Sequence, residues 1–245
     1  MIPLIFGGCV VRESVNLEMG ITAFSQGDEE KAIEIFDKIA TDTAYMKLAS
    51  LYRNRCNGIE DLEEAFKWYL KSAELGNAEA QCIVGHNYPT DITSEPYAER
   101  LKKAEFWLTK AAEQGIVEAQ NELGEHYLTG NLWPKNYEKA YYWTKMAANN
   151  GIVQAQHNLG VCYINGYGIS KDNLEAAKWF IQAAEQGCES SVIALESMIL
   201  YTGINNKTLF DKAYSIATDY SINPSKYKKH KTSGIDKYSI TNKIN

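Results

Sequence analysis

The sequence predicts an all-α protein, a right-handed superhelical solenoid of about six antiparallel helix pairs. The first observation is an internal repeat, in which a small residue stands three positions before a Tyr and recurs after 36, 39 and 36 residues. The second is that Ala, Trp, Ala and Gly follow this small residue at 16, 19, 24 and 27 positions, or three positions later in the second unit. The small residues are Ala49, Gly85, Gly124 and Gly160.

Each unit is predicted to form two helices, because its apolar residues recur at helical spacing. In the third unit these helices cover Val117–Leu128 and Tyr137–Asn149. We interpret the repeated Trp residues as packing residues rather than a cofactor site, and the repeated Gly residues as left-handed residues that end the second helices. These residues are Trp68, Trp107, Trp143 and Trp179, and Gly76, Gly115, Gly151 and Gly187, while Asp61 and Asp172 are expected to cap second helices.

Composition and charge narrow the class of protein. A hydrophobic content of 45% is enough for a sizeable core, and no run of about 18 apolar residues exists that would indicate a membrane channel. The net charge of −6 argues against nucleic acid as a partner. The charge is uneven, since residues 221–245 carry six Lys and one Asp and are at +5, which leaves −11 on the rest. We predict a solenoid over residues 13–220 and a flexible basic tail, or a weak electrostatic handle for an acidic partner or lipid surface, over residues 221–245.

The repeats resemble a known family. The units Ala119–Gly151 and Ala155–Gly187 closely resemble the Sel-1-like repeat, a branch of the tetratricopeptide-like solenoids, and the resemblance covers residues 43–187. Residues 20–36 are similar to an ordinary tetratricopeptide unit, and residues 190–220 keep the two-helix length without the signature, as expected of a capping repeat. The match in the fourth unit rests on Ala155-Gln156, Leu159-Gly160, Tyr163, Gly166-Tyr167-Gly168, Asp172, Ala176, Trp179 and Ala183-Ala184-Glu185-Gln186-Gly187.

The resemblance implies a bacterial, non-enzymatic scaffold that needs no cofactor and binds a protein or peptide partner in a concave groove lined by first helices. It also implies roles such as assembling a complex, regulating a signalling or secretion system, or acting as an immunity protein that masks a toxic effector. From the register, we predict that the residues three before, one after and four after each small residue face this groove. They are Met46, Ser50, Arg53, Cys82, His86, Pro89, Asn121, Glu125, Leu128, His157, Val161 and Ile164.

An acidic ridge is predicted on the first helix of the third unit. Glu118, Glu122 and Glu125 follow one another at helical spacing. Such a ridge would favour a basic partner segment, but the same pattern is typical of an ordinary solvated helix face. Both interpretations stay open at the level of sequence.

Neither a catalytic site nor a metal site is predicted. His86 and His157 fall on the groove side, but successive helices are roughly 10 Å apart and no tight His/Cys spacing is present. We interpret Gly166-Tyr167-Gly168 as an interhelix turn rather than a phosphate-binding loop. The alternative hypothesis is a penicillin-binding or β-lactamase-like enzyme, by analogy with the cysteine-rich branch of the family. It would require a nucleophilic Ser or Cys with a basic partner in the groove, and the repeats contain no Ser-x-x-Lys signature.

Four of the five Cys residues are predicted to be free and mostly buried thiols. Cys56 and Cys82, and likewise Cys162 and Cys188, are 26 residues apart. Cys162 and Cys188 are expected at opposite ends of a helix hairpin, too far apart for a disulfide, and all four are interpreted as free thiols. Cys9 instead follows an apolar run and two Gly residues, which resembles the end of a bacterial lipoprotein signal. Either residues 1–12 are the remnant of such a signal, with Cys9 lipidated in the periplasm, or they are an apolar segment that packs on a cytoplasmic solenoid.

The second unit departs from the repeat between its two helices. Residues 89–96 form a segment with two Pro residues and three extra positions where the other units have a Gly-rich turn. This segment is either a tolerated surface insertion or a contact loop beside the groove.

Overall fold

The protein is described by a computed structural model over residues 6–55, 59–90, 92–202 and 204–226. All regular structure in these ranges is helical and comprises twelve α-helices. The first pairs with the second, the third with the fourth, and likewise the last six in chain order. Gly85 of the fifth helix lies directly against Leu108 of the sixth. The predicted all-α class with six helix pairs is confirmed for these residues. The chain divides into two compact units, with the boundary at Ala111 inside the sixth helix.

Unit 1 contains three helix pairs, and unit 2 contains the other three. The helices that begin in unit 1 are α1 (Phe6–Ser25), α2 (Glu29–Ile39), α3 (Asp42–Arg55), α4 (Ile59–Glu74), α5 (Ala78–Asn87) and α6 (Tyr97–Glu113). Those of unit 2 are α7 (Val117–Thr129), α8 (Tyr137–Asn149), α9 (Val153–Asn165), α10 (Asn173–Glu185), α11 (Glu189–Ser197) and α12 (Lys207–Ile222), with a π-helical turn at Met198–Thr202 and a 3₁₀ turn at Pro224–Lys226.

An ion-pair network ties the first two helix pairs of unit 1 together. The guanidinium of Arg55, at the end of α3, donates to the carboxylates of Glu29 on α2 and Asp61 on α4. Because α4 begins at Ile59, Asp61 lies inside the helix, so the prediction that it caps this helix is wrong. The two oxygens of Asp61 are engaged by Arg55 instead, at 2.5 and 3.3 Å.

Unit 2 shows why each repeat carries a small residue on its first helix. A Cβ atom on Gly124 would clash with the hydroxyl of Thr144 and approach the backbone nitrogen of Thr144 to 3.0 Å. The helices α7 and α8 therefore approach too closely for a larger residue. Trp143 is 8% exposed on the buried side of α8 between two fully buried Ala residues, as a packing role requires. Of the other three repeated Trp residues, Trp68 is buried, while Trp107 and Trp179 are half-buried.

The structure confirms the predicted left-handed Gly residues after the second helices and the predicted cap at Asp172. Gly76, Gly115, Gly151 and Gly187 all have positive φ angles, and the carboxylate of Asp172 accepts the backbone N–H groups of Leu174 and Glu175 at the start of α10. A Gln residue stands four positions before the small residue in the last three repeats, and it makes a contact that the spacing alone does not reveal. In each case its side-chain amide donates to the carbonyl oxygen of an Ala near the end of the preceding helix, and the pairs are Gln81–Ala73, Gln120–Ala112 and Gln156–Ala148.

The described helices run from Phe6, where α1 begins, to Ile222, where α12 ends, and a short turn follows at Pro224–Lys226. The solenoid bounds of residues 13–220 stay a prediction. Residues 1–5, the side chain of Cys9 and residues 227–245 lie outside the described part of the chain. Lipidation at Cys9 and the role of the basic tail therefore stay predictions.

Three of the predicted free thiols are described. Cys82, Cys162 and Cys188 are buried and form no disulfide, as expected, whereas Cys56 is outside the described residues. Burial raises the pKa of the Cys162 thiol to about 12. The thiol of Cys162 is therefore neutral at physiological pH and behaves as a small apolar group.

Candidate functional site

The predicted groove residues lie on α3 and α5 in unit 1, apart from Pro89 just after α5, and on α7 and α9 in unit 2. The residues one and four positions after the small residue are half-exposed in all four repeats. Each unit therefore presents a mixed surface of polar, charged and apolar side chains along its first helices. These residues are Ser50, Arg53, His86, Pro89, Glu125, Leu128, Val161 and Ile164.

The residues three positions before the small residue differ in how far their side chains are exposed. Met46 and His157 are half-exposed there, but Cys82 is fully buried and Asn121 is only 3% exposed. The prediction that Cys82 and Asn121 face a partner directly is therefore wrong. Their side chains are short, so the longer side chains one turn further along the helix, His86 and Glu125, reach further out.

The predicted acidic ridge is only partly at the surface. Glu118 and Glu125 are half-exposed, but the side chain of Glu122 is buried, so the expectation of three exposed carboxylates is wrong. Oε1 of Glu122 lies 3.6 Å from Nε2 of His126, and the ring of His126 packs edge-on against buried Trp133 with ring centroids 5.3 Å apart. Glu122 therefore belongs to the side of α7 that turns towards Trp133.

Asn121 and Glu125 lie one turn apart on α7, and each has a buried side-chain oxygen without a hydrogen bond. Neither Oδ1 of Asn121 nor Oε2 of Glu125 receives a hydrogen bond, although both atoms are buried. Burial is the main reason that the pKa of Glu125 is raised, with His126 opposing and Glu122 adding to the shift. Both oxygens are therefore shielded from solvent and unpaired within the described part of the chain.

A histidine–serine contact that the sequence did not indicate joins two first helices in unit 2. Nδ1 of His157 on α9 lies 2.9 Å from Oγ of Ser191 on α11, and the His157 ring tilts onto Phe180 with centroids 5.4 Å apart. Burial lowers the pKa of His157, which favours the neutral imidazole. Ser191 was missed because α11 lacks the repeat signature, so no register could place it opposite His157.

This contact is the chemical pair that the enzyme hypothesis requires, but its geometry favours a structural role. Ser191 is fully buried, so a substrate carbonyl cannot reach its hydroxyl in this conformation. The His157–Ser191 contact therefore acts as a polar bridge between α9 and α11.

Two further findings concern ligands and membranes. Among the described residues, no group of three or more His, Cys, Asp or Glu side chains is arranged to hold a metal ion. None of the helices in the described ranges is both long and apolar enough to cross a membrane.

The segment that replaces the Gly-rich turn of the second unit is attached to α6. Arg100, which is 7% exposed, donates to the carbonyl oxygen of Thr90, and Nζ of Lys103 lies 2.7 Å from a carboxylate oxygen of Glu95. Ile92 is also buried. These contacts hold Thr90 and Glu95 against α6, and a role of this segment in partner contact stays a prediction.

The paired helices, the fixed small, Trp and Gln positions and the half-exposed first-helix surfaces define a helical repeat protein of the tetratricopeptide-like class. Residues 43–77, 99–116, 117–152 and 153–188 match the family model described as the Sel1 repeat, which is more than half of the 245 residues. The chain therefore belongs to the Sel1 repeat family, as its resemblance implies. No curated protein matches the sequence.

Solved structures give the same fold. A Sel1 repeat protein from Oxalobacter formigenes is 26% identical with a TM-score of 0.60, and the match covers 83% of this chain and 87% of that one. A protective antigen of uropathogenic Escherichia coli with an SLR fold is 26% identical with a TM-score of 0.59, covering 92% of this chain and 51% of that one. An immunity protein from Pseudomonas aeruginosa is 21% identical over 80% of this chain and 75% of that one, but its TM-score of 0.38 is too low to support a functional inference.

Proposed function

We propose that the chain is a non-enzymatic scaffold that binds a segment of a partner protein on the first-helix surface of unit 2. This surface, called the α7/α9 surface below, consists of Glu125, Leu128, His157, Val161 and Ile164. The observation that carries the proposal is that all five side chains are half-exposed, whereas the opposite side of the same helices is a closed core of Ala and Leu. Sel1 repeats belong to a class of repeat folds that is typical of protein-interaction scaffolds.

The chemistry of the α7/α9 surface suits a protein segment better than a small molecule. Leu128, Val161 and Ile164 provide apolar area, while Glu125 and His157 provide hydrogen-bonding groups that can fix orientation. Val161 and Ile164 also pack against the core cluster of unit 2, and Leu128 packs against the neighbouring cluster. The surface is thus held in place before binding, which lowers the entropic cost of association.

Site-specific photo-cross-linking in cells that express the protein tests this proposal. A photoreactive amino acid replaces Val161 in one variant and Gln182, which is exposed on the second helix α10, in a matched control. We expect one discrete cross-linked protein from position 161 and none from position 182, and the captured protein should then bind the purified chain. Cross-links that are absent at 161, or equal at both positions, would count against the α7/α9 surface.

The narrower hypothesis of an immunity protein predicts that the captured protein is a toxic effector whose activity falls when the complex forms. The enzyme hypothesis predicts instead a covalent adduct with a β-lactam or a fluorophosphonate probe. We expect no adduct, because Ser191 is buried beneath the surface. Mass spectrometry that finds Ser191 modified in the folded protein would favour the enzyme.

A further inference from the structure

The last described first helix, α11, presents exposed apolar residues although it lacks the repeat signature. Ile193 stands 36 residues after His157, which the register predicts to face the groove, and Leu200 stands in the same relation to Ile164. Ile193 is 49% exposed, and Leu200, in the π-helical turn that follows α11, is 71% exposed. Large apolar side chains that stay this open to solvent near one another are typical of an interaction surface.

Side-chain contacts hold α11 beside α9. Nδ1 of His157 on α9 lies 2.9 Å from Oγ of Ser191 on α11. Val161 and Ile164 of α9 pack against the core cluster that contains the fully buried Leu195 of α11. The accessible apolar side chains of the two helices therefore belong to one surface, called the α9/α11 strip below. It consists of Val161, Ile164, Ile193 and Leu200.

The charge around the α9/α11 strip is negative. The first helices of unit 2, α7, α9 and α11, contain five Glu residues and neither Lys nor Arg. On α11, Glu189 and Glu196 flank Ile193 in the sequence, and both carboxylate side chains are half-exposed. An occupant that suits this surface therefore combines apolar side chains with positive charge.

The chain itself contains a segment of that composition directly after the described residues. Residues 227–245 carry five Lys and one Asp, and their large apolar residues are three Ile and two Tyr. The segment is thus both basic and apolar, and it complements the strip in both respects.

The segment also starts beside the beginning of α11. Nζ of Lys226, the last described residue, lies 2.5 Å from Oδ2 of Asp219 on α12. The carbonyl oxygen of Lys226 lies beside Gly187, two residues before α11 begins. From Glu189 to Leu200 the chain spans about 17 Å at the helical rise per residue. The 19 residues of the segment can extend to about 60 Å, so they can reach the whole strip.

We propose that residues 227–245 dock on the α9/α11 strip of their own chain and cover it until a partner displaces them. Their Ile and Tyr side chains bury Ile193 and Leu200, while their Lys side chains lie near Glu189 and Glu196. Because the segment is tethered, its effective concentration at the strip is on the order of mM, so weak contacts suffice. Only the displacement rests on the proposed function, since α9 contributes to the strip and to the α7/α9 surface.

Paramagnetic broadening in NMR spectra of the ¹⁵N-labelled full chain tests this proposal. A nitroxide is attached through Ser239→Cys in a variant that also carries Cys9→Ser and Cys56→Ser, because the other three thiols are buried. We expect the nitroxide to broaden the amide resonances of residues 189–200. The broadening should persist when the spin-labelled ¹⁵N chain is diluted into an excess of ¹⁴N chain without a nitroxide, since the segment docks within its own chain.

Leu200→Gln and Tyr142→Gln form a matched pair of variants. Tyr142 is 55% exposed on the second helix α8, so each variant removes an exposed apolar side chain from unit 2. Leu200→Gln should lower the equilibrium constant for docking about tenfold, as expected for the loss of one Leu side chain that docking buries. Tyr142→Gln should leave the broadening unchanged, and the diamagnetic spectrum of each variant shows whether unit 2 is folded.

The proposal is overturned if the resonances of residues 189–200 keep their line widths, or if the two Gln variants reduce the broadening equally. Broadening that vanishes on dilution would also contradict it, because docking would then join two copies of the chain. These measurements need no partner, and the cross-link at position 161 does not require the segment to dock. Failure of this proposal therefore remains distinguishable from failure of the scaffold function.

Discussion

Replacing Gly168 by Ala should destabilise unit 2 far more than replacing Gly151 by Ala. Gly168 lies in the turn after the first helix α9, and Gly151 lies in the turn after the second helix α8. Their φ angles are similar and positive, +70° and +86°. They differ in their surroundings. A Cβ atom on Gly168 would overlap the carbonyl oxygen of Tyr137 and lie 2.9 Å from the Cβ atom of Tyr141, whereas one on Gly151 would have no neighbour within 4 Å.

The expected loss in the free energy of unfolding has two contributions, the strain of an alanine in a left-handed backbone conformation and the overlap of its Cβ atom with neighbouring atoms. An alanine at a left-handed position costs about 1–2 kcal/mol, and this cost applies to both variants. Overpacking against backbone adds about 1–3 kcal/mol for Gly168→Ala alone. Urea unfolding followed by far-UV circular dichroism gives both values. Equal destabilisation of the two variants would show that the α9–α10 turn does not sit against the start of α8 as described.

Two further predictions concern the core. Trp143→Ala should lower the free energy of unfolding by about 3–5 kcal/mol, because it empties a large buried site between α8 and its neighbours. A near-neutral effect in urea unfolding would mean that Trp143 does not lie on the buried face of α8. In a variant in which Ser replaces Cys9 and Cys56, the remaining thiols should react with a disulfide reagent at neutral pH only after unfolding. The reason is that all three are buried and the pKa of Cys162 is raised to about 12, and rapid labelling of the native protein would contradict this burial.

The repeat made most of the fold predictable. The positions of Ala, Trp and Gly are fixed by close packing between helices, so counting them located α8 to the residue and α7 to within one residue of its end. The prediction that Asp61 caps α4 is wrong because a cap depends on where the helix begins, and because Arg55 competes for the same carboxylate. Nothing local in the sequence signals that competition.

The site was predictable only in part. Register placed Glu125 and Val161 on the half-exposed side of their helices, since helical period decides which side of a helix a residue occupies, and their contact with a partner stays a prediction. It could not show that Asn121 is covered by its own neighbours, because that depends on side-chain length. The contacts of His126 with Trp133 and of His157 with Ser191 join residues from different elements, and a single sequence without covarying relatives does not reveal such pairs.

The most direct test of the proposed scaffold function uses the protein captured from position 161. Its affinity is compared for the wild-type chain and for two matched charge-reversal variants. Glu125→Lys places a positive charge on the α7/α9 surface, and Glu138→Lys places the same charge on the exposed side of α8. Isothermal titration calorimetry should show binding weakened at least about tenfold by Glu125→Lys, since a longer side chain of opposite charge would replace one that the partner covers. Glu138→Lys should bind as the wild-type chain does. Equal affinities for the wild-type chain and Glu125→Lys would contradict binding at this surface.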